Sequence, residues 1–459
     1  MRRALRRTVA RYVLTVALGL AIVAGAGCSS PEPPAERRTV AQTPALLALT
    51  ELPAAGDRPA RAASLARTAP WGRPDAPAPN LLFQHELPVG RGAWTLARTF
   101  PVLQARMGKT RQWLLLAPAD LDVDVDALDS RLAALDPAQP LFLGRALRDG
   151  AATPIHHYAE PGLAFPDASC GIVLSRALVE HLARAWATAP PMQHITIDAP
   201  YELAKWIAEQ TGTSLTDVPG LCGRTPRQAK AAPVSASHVV FAVRTYSGFH
   251  GTRVPIVKST WGKDLPRVVY YSDVADPAIP TVATGVANVK TGHCEKLAAV
   301  LRLLRRDHAD ARWVVLADDD TLFDVPALLS RLGELDTGDG TPLVVGSRYG
   351  AGHNRPRDGA DYPTLGAGAA LDQAALQRIV DGWIPCPSPE TPDDMWLGAT
   401  LKHVDIELID EPGMHQEQPS AYAPEVLARA PAISFHHFSP QDPVAVYREF
   451  LAPDRATPR

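Results

Sequence analysis

A stretch of 24 residues occurs twice in this chain of 459 residues, at a constant offset of 200 residues. Residues 113–136 align with residues 313–336 without a gap, and 13 of the 24 aligned positions are identical. Weaker similarity continues downstream, where residues 140–144 resemble residues 342–346. An ungapped match of this length predicts a duplicated domain, and one hydrophobic core rarely serves a chain of this size.

Each copy opens with an apolar run that is typical of a buried strand and continues into a helical pattern. Around the second copy, such runs and helical patterns alternate, with runs at 238–244, 268–271, 313–317 and 342–346 and helices at 254–261, 295–306 and 325–335. This alternation is typical of a mostly parallel, doubly wound sheet. We therefore expect an α/β protein with two tandem Rossmann-like domains.

Three adjacent acids, Asp318, Asp319 and Asp320, follow the apolar run of the second copy. In open α/β sheets, ligands bind beyond the carboxyl ends of the strands. Neighbouring carboxylates repel one another, and a divalent cation would neutralise them. A cation held there could bind the diphosphate of a nucleotide sugar. The alternative is an acidic turn in which Asp320 or Thr321 caps the next helix.

The two copies differ at these acids. Pro118 and Ala119 stand in the first copy where Asp318 and Asp319 stand in the second. We therefore expect the second copy to be active and the first to be degenerate.

The first 28 residues resemble a targeting segment. Five arginines lie within the first 11 residues, and an apolar stretch, Tyr12–Ala26, precedes Cys28. This pattern is typical of a bacterial lipoprotein signal, and an uncleaved signal anchor is the alternative. We expect an exported, membrane-associated protein, either a lipoprotein or a single-pass protein that faces a secretory lumen.

Composition predicts the remaining boundaries. Residues 29–80 are rich in Pro, Ala and Arg, which indicates an extended linker. A degenerate domain at 81–224, a second linker at 225–237 and a catalytic domain at 238–459 would follow. The net charge of −3 gives no indication of nucleic-acid binding.

Four cysteines remain after Cys28, and each predicted domain has two: Cys170, Cys222, Cys294 and Cys386. In an exported chain this distribution predicts one disulfide in each domain. Buried free thiols are the alternative.

Short motifs lie in order along residues 238–453: Phe241–Thr245, His250–Trp261, Tyr270–Asp273, Gly292–Lys296, Ala317–Thr321, Gly346–Gly350, Thr391–Gly398, Met414–Gln416 and Ile433–His437. Together they resemble the Fringe-like inverting β-1,3-glycosyltransferases. The resemblance implies GT-A-type domains and transfer of a hexose, above all glucose, from a UDP-sugar to a fucose-like acceptor. Residues 354–361 and 366–369 depart from the family pattern, which leaves the sugar specificity open.

The resemblance also implies roles for single residues. Asp320 and His415 would ligate Mn²⁺, because carboxylate and imidazole ligands suit this ion. The UDP-sugar would be bound by Thr245, Arg253, Asp273, Lys296, Asp318 and Asp319. Ordinary alternatives are a surface position for His415, a salt bridge on a helix for Arg253 and a helix-surface lysine for Lys296.

On the acceptor side, Asp394 matches the family's general base, which must reach the acceptor hydroxyl. Asp393 is expected to cap a helix that begins near Met395, and capping is also the alternative for Asp394. Tyr349 and Trp396 could stack on a sugar face, although core packing is the commoner role for such rings.

The sequence therefore predicts an enzyme with three kinds of partner: a UDP-sugar, a glycan or glycoprotein acceptor, and a membrane contacted through the N-terminus. The alternative is a non-catalytic carbohydrate-binding protein built from two glycosyltransferase-like modules. The intact acids of one copy favour the enzyme.

Overall fold

The structure is a computed structural model that describes residues 46–68, 81–87, 96–118, 121, 125–191, 195–218, 221, 232–352 and 359–452. The predicted targeting segment at 1–28 and residues 225–231 of the second predicted linker lie outside the described residues. Within the described ranges, no helix combines the length and the apolar character needed to cross a bilayer.

The N-terminal region, residues 46–221, is built on a six-stranded sheet of order β2-β1-β3-β7-β4-β9. The strands of the whole N-terminal region, inside and outside this sheet, are β1 (Leu46–Glu51), β2 (Leu81–Phe83), β3 (Trp113–Pro118), β4 (Phe142–Gly144), β5 (Ala146–Leu147), β6 (Phe165–Pro166), β7 (Ile172–Ser175), β8 (Ile195–Thr196) and β9 (Thr216–Asp217). Its α-helices are α1 (Arg58–Thr68), α2 (Leu96–Met107), α3 (Val125–Leu132), α4 (Arg176–Thr188) and α5 (Ala199–Thr211). Strand β7 runs antiparallel to β3 and β4.

Strand β1 occupies the interior of this sheet, between the parallel strands β2 and β3. The predicted linker at 29–80 is therefore wrong at 46–51 and at 58–68, where a strand and a helix form. The side chains of Leu46–Thr50 are buried. A strand covered on both faces carries a continuous apolar run, which a Pro- and Ala-rich background conceals.

The C-terminal region, residues 232–452, is built on a seven-stranded sheet of order β12-β11-β10-β13-β18-β15-β19. The strands are β10 (Val239–Arg244), β11 (Val268–Ser272), β12 (Thr281–Ala283), β13 (Trp313–Asp318), β14 (Thr321–Phe323), β15 (Val344–Gly346), β16 (Arg348–Ala351), β17 (Ala360–Pro363), β18 (Ala369–Asp372), β19 (Leu408–Asp410) and β20 (Ser434–His436). The α-helices are α6 (Val254–Ser259), α7 (Cys294–Asp307), α8 (Val325–Leu335), α9 (Gln373–Gly382), α10 (Asp393–His403), α11 (Pro424–Leu427) and α12 (Pro443–Val446), and a π-helical turn, Tyr447–Leu451, follows.

The strands and helices predicted for this region are confirmed in type and approximate position. Helix α8 has the predicted bounds because Asp324 caps it, accepting a hydrogen bond of 2.9 Å from the Ala327 amide. The strand Trp313–Asp318 has almost no exposed apolar surface, as expected for an interior strand covered on both faces, and it runs parallel to β10 and antiparallel to β18.

The two large sheets share six strands in the same order and with the same relative directions. In the N-terminal sheet, Glu51 at the end of β1 pairs in register with Pro118 at the end of β3. In the C-terminal sheet, Arg244 at the end of β10 pairs in register with Asp318 at the end of β13.

Two smaller features connect distant segments. Strands β17, β16 and β8 form a three-stranded sheet, so the N-terminal region adds one strand to a hairpin of the C-terminal region. A disulfide joins Cys294 to Cys386, which confirms the bridge predicted there. Cys170 is also disulfide-bonded, and Cys222 lies outside the described residues.

Candidate functional site

The site lies where β10 and β13 end. These parallel neighbours bring Arg244 and Asp318 to one edge of the sheet, where open α/β sheets bind ligands. Asp319 and Asp320 form a tight turn, after which Thr321 begins β14. The helix-cap alternative for Asp320 and Thr321 is wrong, because the cap of α8 lies further on.

Three side chains of this edge converge: Asp318, Asp320 and His436 place one ligand atom each within 4.8 Å of one another. His436 reaches the turn because β20 pairs with β14. Its Nε2 lies 3.0 Å from Asp320 Oδ1, and its Nδ1 lies 3.1 Å from the Gln416 carbonyl oxygen, to which it can donate. In the neutral tautomer that donates from Nδ1, the Nε2 lone pair can ligate a metal, so this group fits a divalent cation.

Charge within this group is strongly coupled. Burial lowers the pKa of His436, but the hydrogen bond and charge of Asp320 outweigh burial and leave that pKa raised. Burial raises the pKa of Asp320, but His436 and Arg253 outweigh it and leave the pKa lowered. The acid and the imidazole therefore stabilise each other's charged forms.

His415, the predicted metal ligand, lies outside this group. Its ring stacks on Phe435 with centroids 4.9 Å apart, and burial lowers its pKa to about 4. Its Nε2 has no hydrogen-bond partner among the described residues. The geometry does not support the metal role of His415. His436, to which the sequence assigned no role, is the histidine that the pairing of β20 with β14 brings beside Asp320.

Asp319 faces a different set of partners. Its carboxylate accepts hydrogen bonds from Thr245 Oγ1 at 2.6 Å and from Arg253 Nη1 at 3.0 Å. Arg253 also lies 2.8 Å from Asp320, and its guanidinium covers the Phe249 ring at 3.9 Å. Burial raises the pKa of Asp319 to about 6. The structure thus brings together Thr245, Arg253 and Asp319, three residues that the sequence predicted to bind the donor.

Lys296 and Asp273 hold the loop that follows β10. The Lys296 ammonium donates to the Thr245 carbonyl oxygen at 2.5 Å, and burial lowers its pKa. Lys296 is buried, so its alternative as a helix-surface lysine is wrong. Asp273 accepts from the amide and hydroxyl of Ser247 at 2.8 and 3.0 Å. These hydrogen bonds, with one from Ser272, outweigh burial and lower the pKa of Asp273.

Arg244 is a site residue that sequence reasoning did not assign. Its buried guanidinium forms ion pairs with Asp318, at 2.6 Å, and with Asp393. Burial lowers its pKa, but the charges of both aspartates outweigh this and raise it. The signal that could have identified Arg244 is its position: it ends an otherwise apolar strand, in register with an aspartate.

Asp394 lies on the first turn of α10. This helix begins at Asp393, with Pro392 as a cap that lacks a side-chain hydrogen bond. The predicted capping role of Asp393 is therefore wrong, and its carboxylate binds Arg244 instead. Burial, and after it the charge of Asp393, raises the pKa of Asp394 to about 7. Asp394 is half-buried.

The two predicted sugar-stacking rings lie in the core. Trp396 is 2% exposed, and its Nε1 donates to the Ile384 carbonyl oxygen at 2.8 Å. Tyr349 is 8% exposed and packs edge-on against Tyr362, with ring centroids 6.1 Å apart. Neither ring offers a face to a sugar, so both predictions are wrong and core packing is the observed role.

Comparison with known proteins gives consistent matches. Residues 234–455 match the family model described as Fringe-like. A β-1,3-glucosyltransferase from Mus musculus is 35% identical over 399 residues, which cover 83% of this chain and 81% of the mouse protein. A β-1,3-glucosyltransferase from Homo sapiens is 34% identical over 392 residues, covering 82% of this chain and 78% of the human protein.

A solved glycosyltransferase, involved in glycosylation of the major capsid of PBCV-1, overlaps 45% of this chain and 96% of its own at 12% identity and a TM-score of 0.30.

A group of candidate cation ligands at the carboxyl edge of an α/β sheet, in a chain with these sequence relatives, defines a glycosyltransferase. The extent of the match to the mouse and human proteins then identifies the family. The chain belongs to the Fringe-like glycosyltransferases.

Proposed function

We propose that this protein is an inverting, metal-dependent β-1,3-glycosyltransferase that transfers a hexose, first of all glucose, from a UDP-sugar to a fucose-like acceptor on a glycan or glycoprotein. The observation that carries the proposal is the convergence of Asp318, Asp320 and His436 beside Arg253. The names of the mouse and human relatives support the linkage and the sugar.

We assign the residues of the donor side from the charges that they carry. Asp318, Asp320 and His436 would hold a divalent cation, for which we propose Mn²⁺. When bound, the cation would stabilise the negative charge of the departing diphosphate. Arg253, one-third exposed, has a guanidinium that can donate two hydrogen bonds to a phosphate. Thr245 would approach the nucleoside.

The acceptor side needs a base, and we propose Asp394 for it. In the transfer step the acceptor hydroxyl oxygen bonds to the anomeric carbon while the bond from that carbon to the diphosphate breaks. The hydroxyl proton passes to the Asp394 carboxylate. A carboxylate with a pKa near 7 is well matched to this task at neutral pH.

For the N-terminal region we propose a degenerate copy of the same GT-A-type domain. The shared strand order and the register of β1 with β3 support this interpretation. Pro118 stands where the C-terminal sheet has Asp318, and a proline there supplies neither a carboxylate nor a backbone N–H.

Export and membrane attachment through residues 1–28 also remain part of the proposal. A Cys28→Ala variant distinguishes a lipid anchor at Cys28 from an uncleaved signal anchor. Release from the membrane fraction would support a lipid anchor, and retention would support a signal anchor.

The decisive experiment is a donor screen with the full chain in detergent. We expect UDP release from UDP-glucose to require Mn²⁺ and to rise when a synthetic fucoside is present. UDP-galactose and UDP-N-acetylglucosamine, which carry the same nucleotide, serve as comparison donors for UDP-glucose. Saturable fucoside binding without UDP release from any donor would contradict the enzyme and favour the carbohydrate-binding alternative.

A further inference from the structure

The edge of the N-terminal sheet that corresponds to the site is occupied. Glu51 and Arg244 hold the same register position in their sheets, each at the end of the strand beside β3 or β13. The Glu51 carboxylate accepts two hydrogen bonds from Arg348, at 2.9 Å from Nη1 and 3.1 Å from Nη2. This bidentate contact places an arginine of the C-terminal region at the N-terminal sheet edge.

Arg348 is fixed from both regions. It is the first residue of β16, and its amide donates to Asp410 Oδ1 at 3.1 Å. Burial lowers the pKa of Arg348, but the charges of Glu51 and Asp410 outweigh it and raise that pKa. The ion pair therefore connects the end of β1 to the start of β16.

Further contacts between the regions lie on neighbouring segments. In the small sheet, Thr196 of β8 pairs with Gly350 of β16. The Thr153 hydroxyl donates to the Ala421 carbonyl oxygen at 2.8 Å. Arg429 forms an ion pair with Asp167 at 2.9 Å. The N-terminal region thus contacts both β16 and the segment that precedes β20.

From β16 a short path leads to the candidate base. Strand β16 pairs with β17, and β17 packs directly on α10, the helix that carries Asp394. A Cβ added at Gly398 of α10 would lie 2.5 Å from the Asp361 carbonyl oxygen, so helix and strand are in backbone contact. Burial, and after it the charge of Asp394, raises the pKa of the Tyr362 phenol on β17. Among the described residues, β16, β17 and α10 thus contact one another in succession.

We propose that Glu51 is a positioning residue for the acceptor side of the transfer reaction. Through Arg348 it fixes β16 and β17, and these strands fix the helix that carries Asp394. The N-terminal region then works as a positioning module whose own sheet edge is closed by Arg348. The inference rests on the proposed function where it treats Asp394 as the base.

The test uses the full chain with Glu51→Gln, Arg348→Gln and the double variant. Because the pair positions the helix that carries the candidate base, we expect kcat/KM for the fucoside to fall about three- to thirtyfold in each single variant. The KM for UDP-glucose and the acceptor-free release of UDP should stay within about twofold, since donor contacts are untouched. The double variant should be no worse than the worse single variant.

Arg58→Gln is the matched control. Arg58 forms an ion pair with Asp339 across the same boundary, and both side chains are more exposed than those of Glu51 and Arg348. We expect this variant to leave kcat/KM for the fucoside and the KM for UDP-glucose unchanged. If Glu51→Gln changes the KM for UDP-glucose by as large a factor as kcat/KM for the fucoside, or behaves like Arg58→Gln, the positioning role is refuted. Glu51→Asp, which retains the charge, replaces Glu51→Gln if the latter does not fold.

Hydrogen exchange separates this inference from the proposed function. Even if no fucoside is an acceptor, Glu51→Gln should accelerate amide exchange in β16 and β17 while β10 and β11 keep their wild-type rates. Equal rates in β16 and β17 for variant and wild type would overturn the positioning role, whatever the reaction is.

Discussion

At the scale of single residues, one buried guanidinium connects the two acidic parts of the site. Arg244 contacts both Asp318, a candidate cation ligand, and Asp393, the neighbour of the candidate base. Breaking a buried ion pair by removing one partner typically costs about 3–5 kcal/mol, because the other charge stays buried. Loss of the Arg244 guanidinium would therefore deprive both Asp318 and Asp393 of this partner.

A pair of histidine variants tests the cation site. His436→Ala should weaken Mn²⁺ binding by at least about 10- to 100-fold, because it removes the imidazole next to Asp320. His415→Phe is the matched control, since His415 already packs on Phe435 as a neutral ring, and it should bind Mn²⁺ like wild type. Calorimetric titration with MnCl₂ measures both. The reverse order of effects would restore His415 as the ligand.

The pH dependence of the rate tests Asp394. A base works only when deprotonated, and its pKa is raised to about 7. We therefore expect kcat/KM to fall as pH decreases below about 7 and to level off above it. Asp394→Asn should lose about 10²–10⁴ in rate and lose this pH dependence, while UDP affinity stays unchanged. A variant that keeps the acid limb of the profile would exclude Asp394 as its origin.

Residue types were easier to predict than their partners. The run Asp318–Asp320 predicts a ligand site, but the sequence does not show that Asp318 and Asp320 face His436 while Asp319 faces Thr245. Asp318 ends β13, and Asp319 and Asp320 form the turn that follows, so the direction of each carboxylate depends on the turn and not on the alternation of a strand. Which histidine meets them depends on the pairing of β14 with β20, more than 100 residues apart.

At the scale of elements, the contact between α10 and β17 sets the position of Asp394. Helix α10 is close enough to β17 that only a glycine fits at position 398. Close approach of this kind leaves neither element free to move alone, because close-packed interiors transmit displacement.

Gly398→Ala tests that contact. On an exposed helix face this change would stabilise by roughly 0.5–1 kcal/mol. Here the new methyl group would collide with Tyr362 and Asp361, and we expect destabilisation of about 1–3 kcal/mol. Gly251→Ala is the control, since nothing lies within 4 Å of its added Cβ. Urea unfolding measures both variants, and a stabilised Gly398→Ala protein would refute the close contact.

Elements with local signals were predictable, and those defined by distant pairing were not. Helix α8 carries its own cap and periodicity, and its predicted bounds agree with the structure. Strand β1 is a short apolar run whose identity depends on β2 and β3, which lie far along the chain. The three-stranded sheet of β17, β16 and β8 has no sequence signal, because its partners come from different regions.

At the scale of the whole molecule, two similar sheets differ in the charge at their corresponding edges. The C-terminal edge presents Arg244 and Asp318, and the N-terminal edge presents Glu51 and Pro118. A nucleotide diphosphate needs cationic groups or a bound cation, and at the N-terminal edge the Arg348 guanidinium is already paired with Glu51.

Calorimetry on the full chain should therefore find one Mn²⁺-dependent UDP site per molecule. Asp320→Asn should abolish this binding, because it removes the charge of a candidate cation ligand from the C-terminal edge. The exposed Asp310→Asn is a matched control and should retain one site. A stoichiometry of two, or binding that survives Asp320→Asn, would show that the N-terminal region also binds nucleotide.

The ion pair between Glu51 and Arg348 spans 297 residues, and this separation has a consequence for biosynthesis. A ribosome completes the N-terminal sheet long before the residue that neutralises its edge has been polymerised. Contacts between such distant residues form late, since chain closure must precede them. We therefore expect nascent chains that end before residue 348 to be incompletely folded and to be cut by protease more readily than the finished protein. Pulse proteolysis of arrested chains can measure this difference.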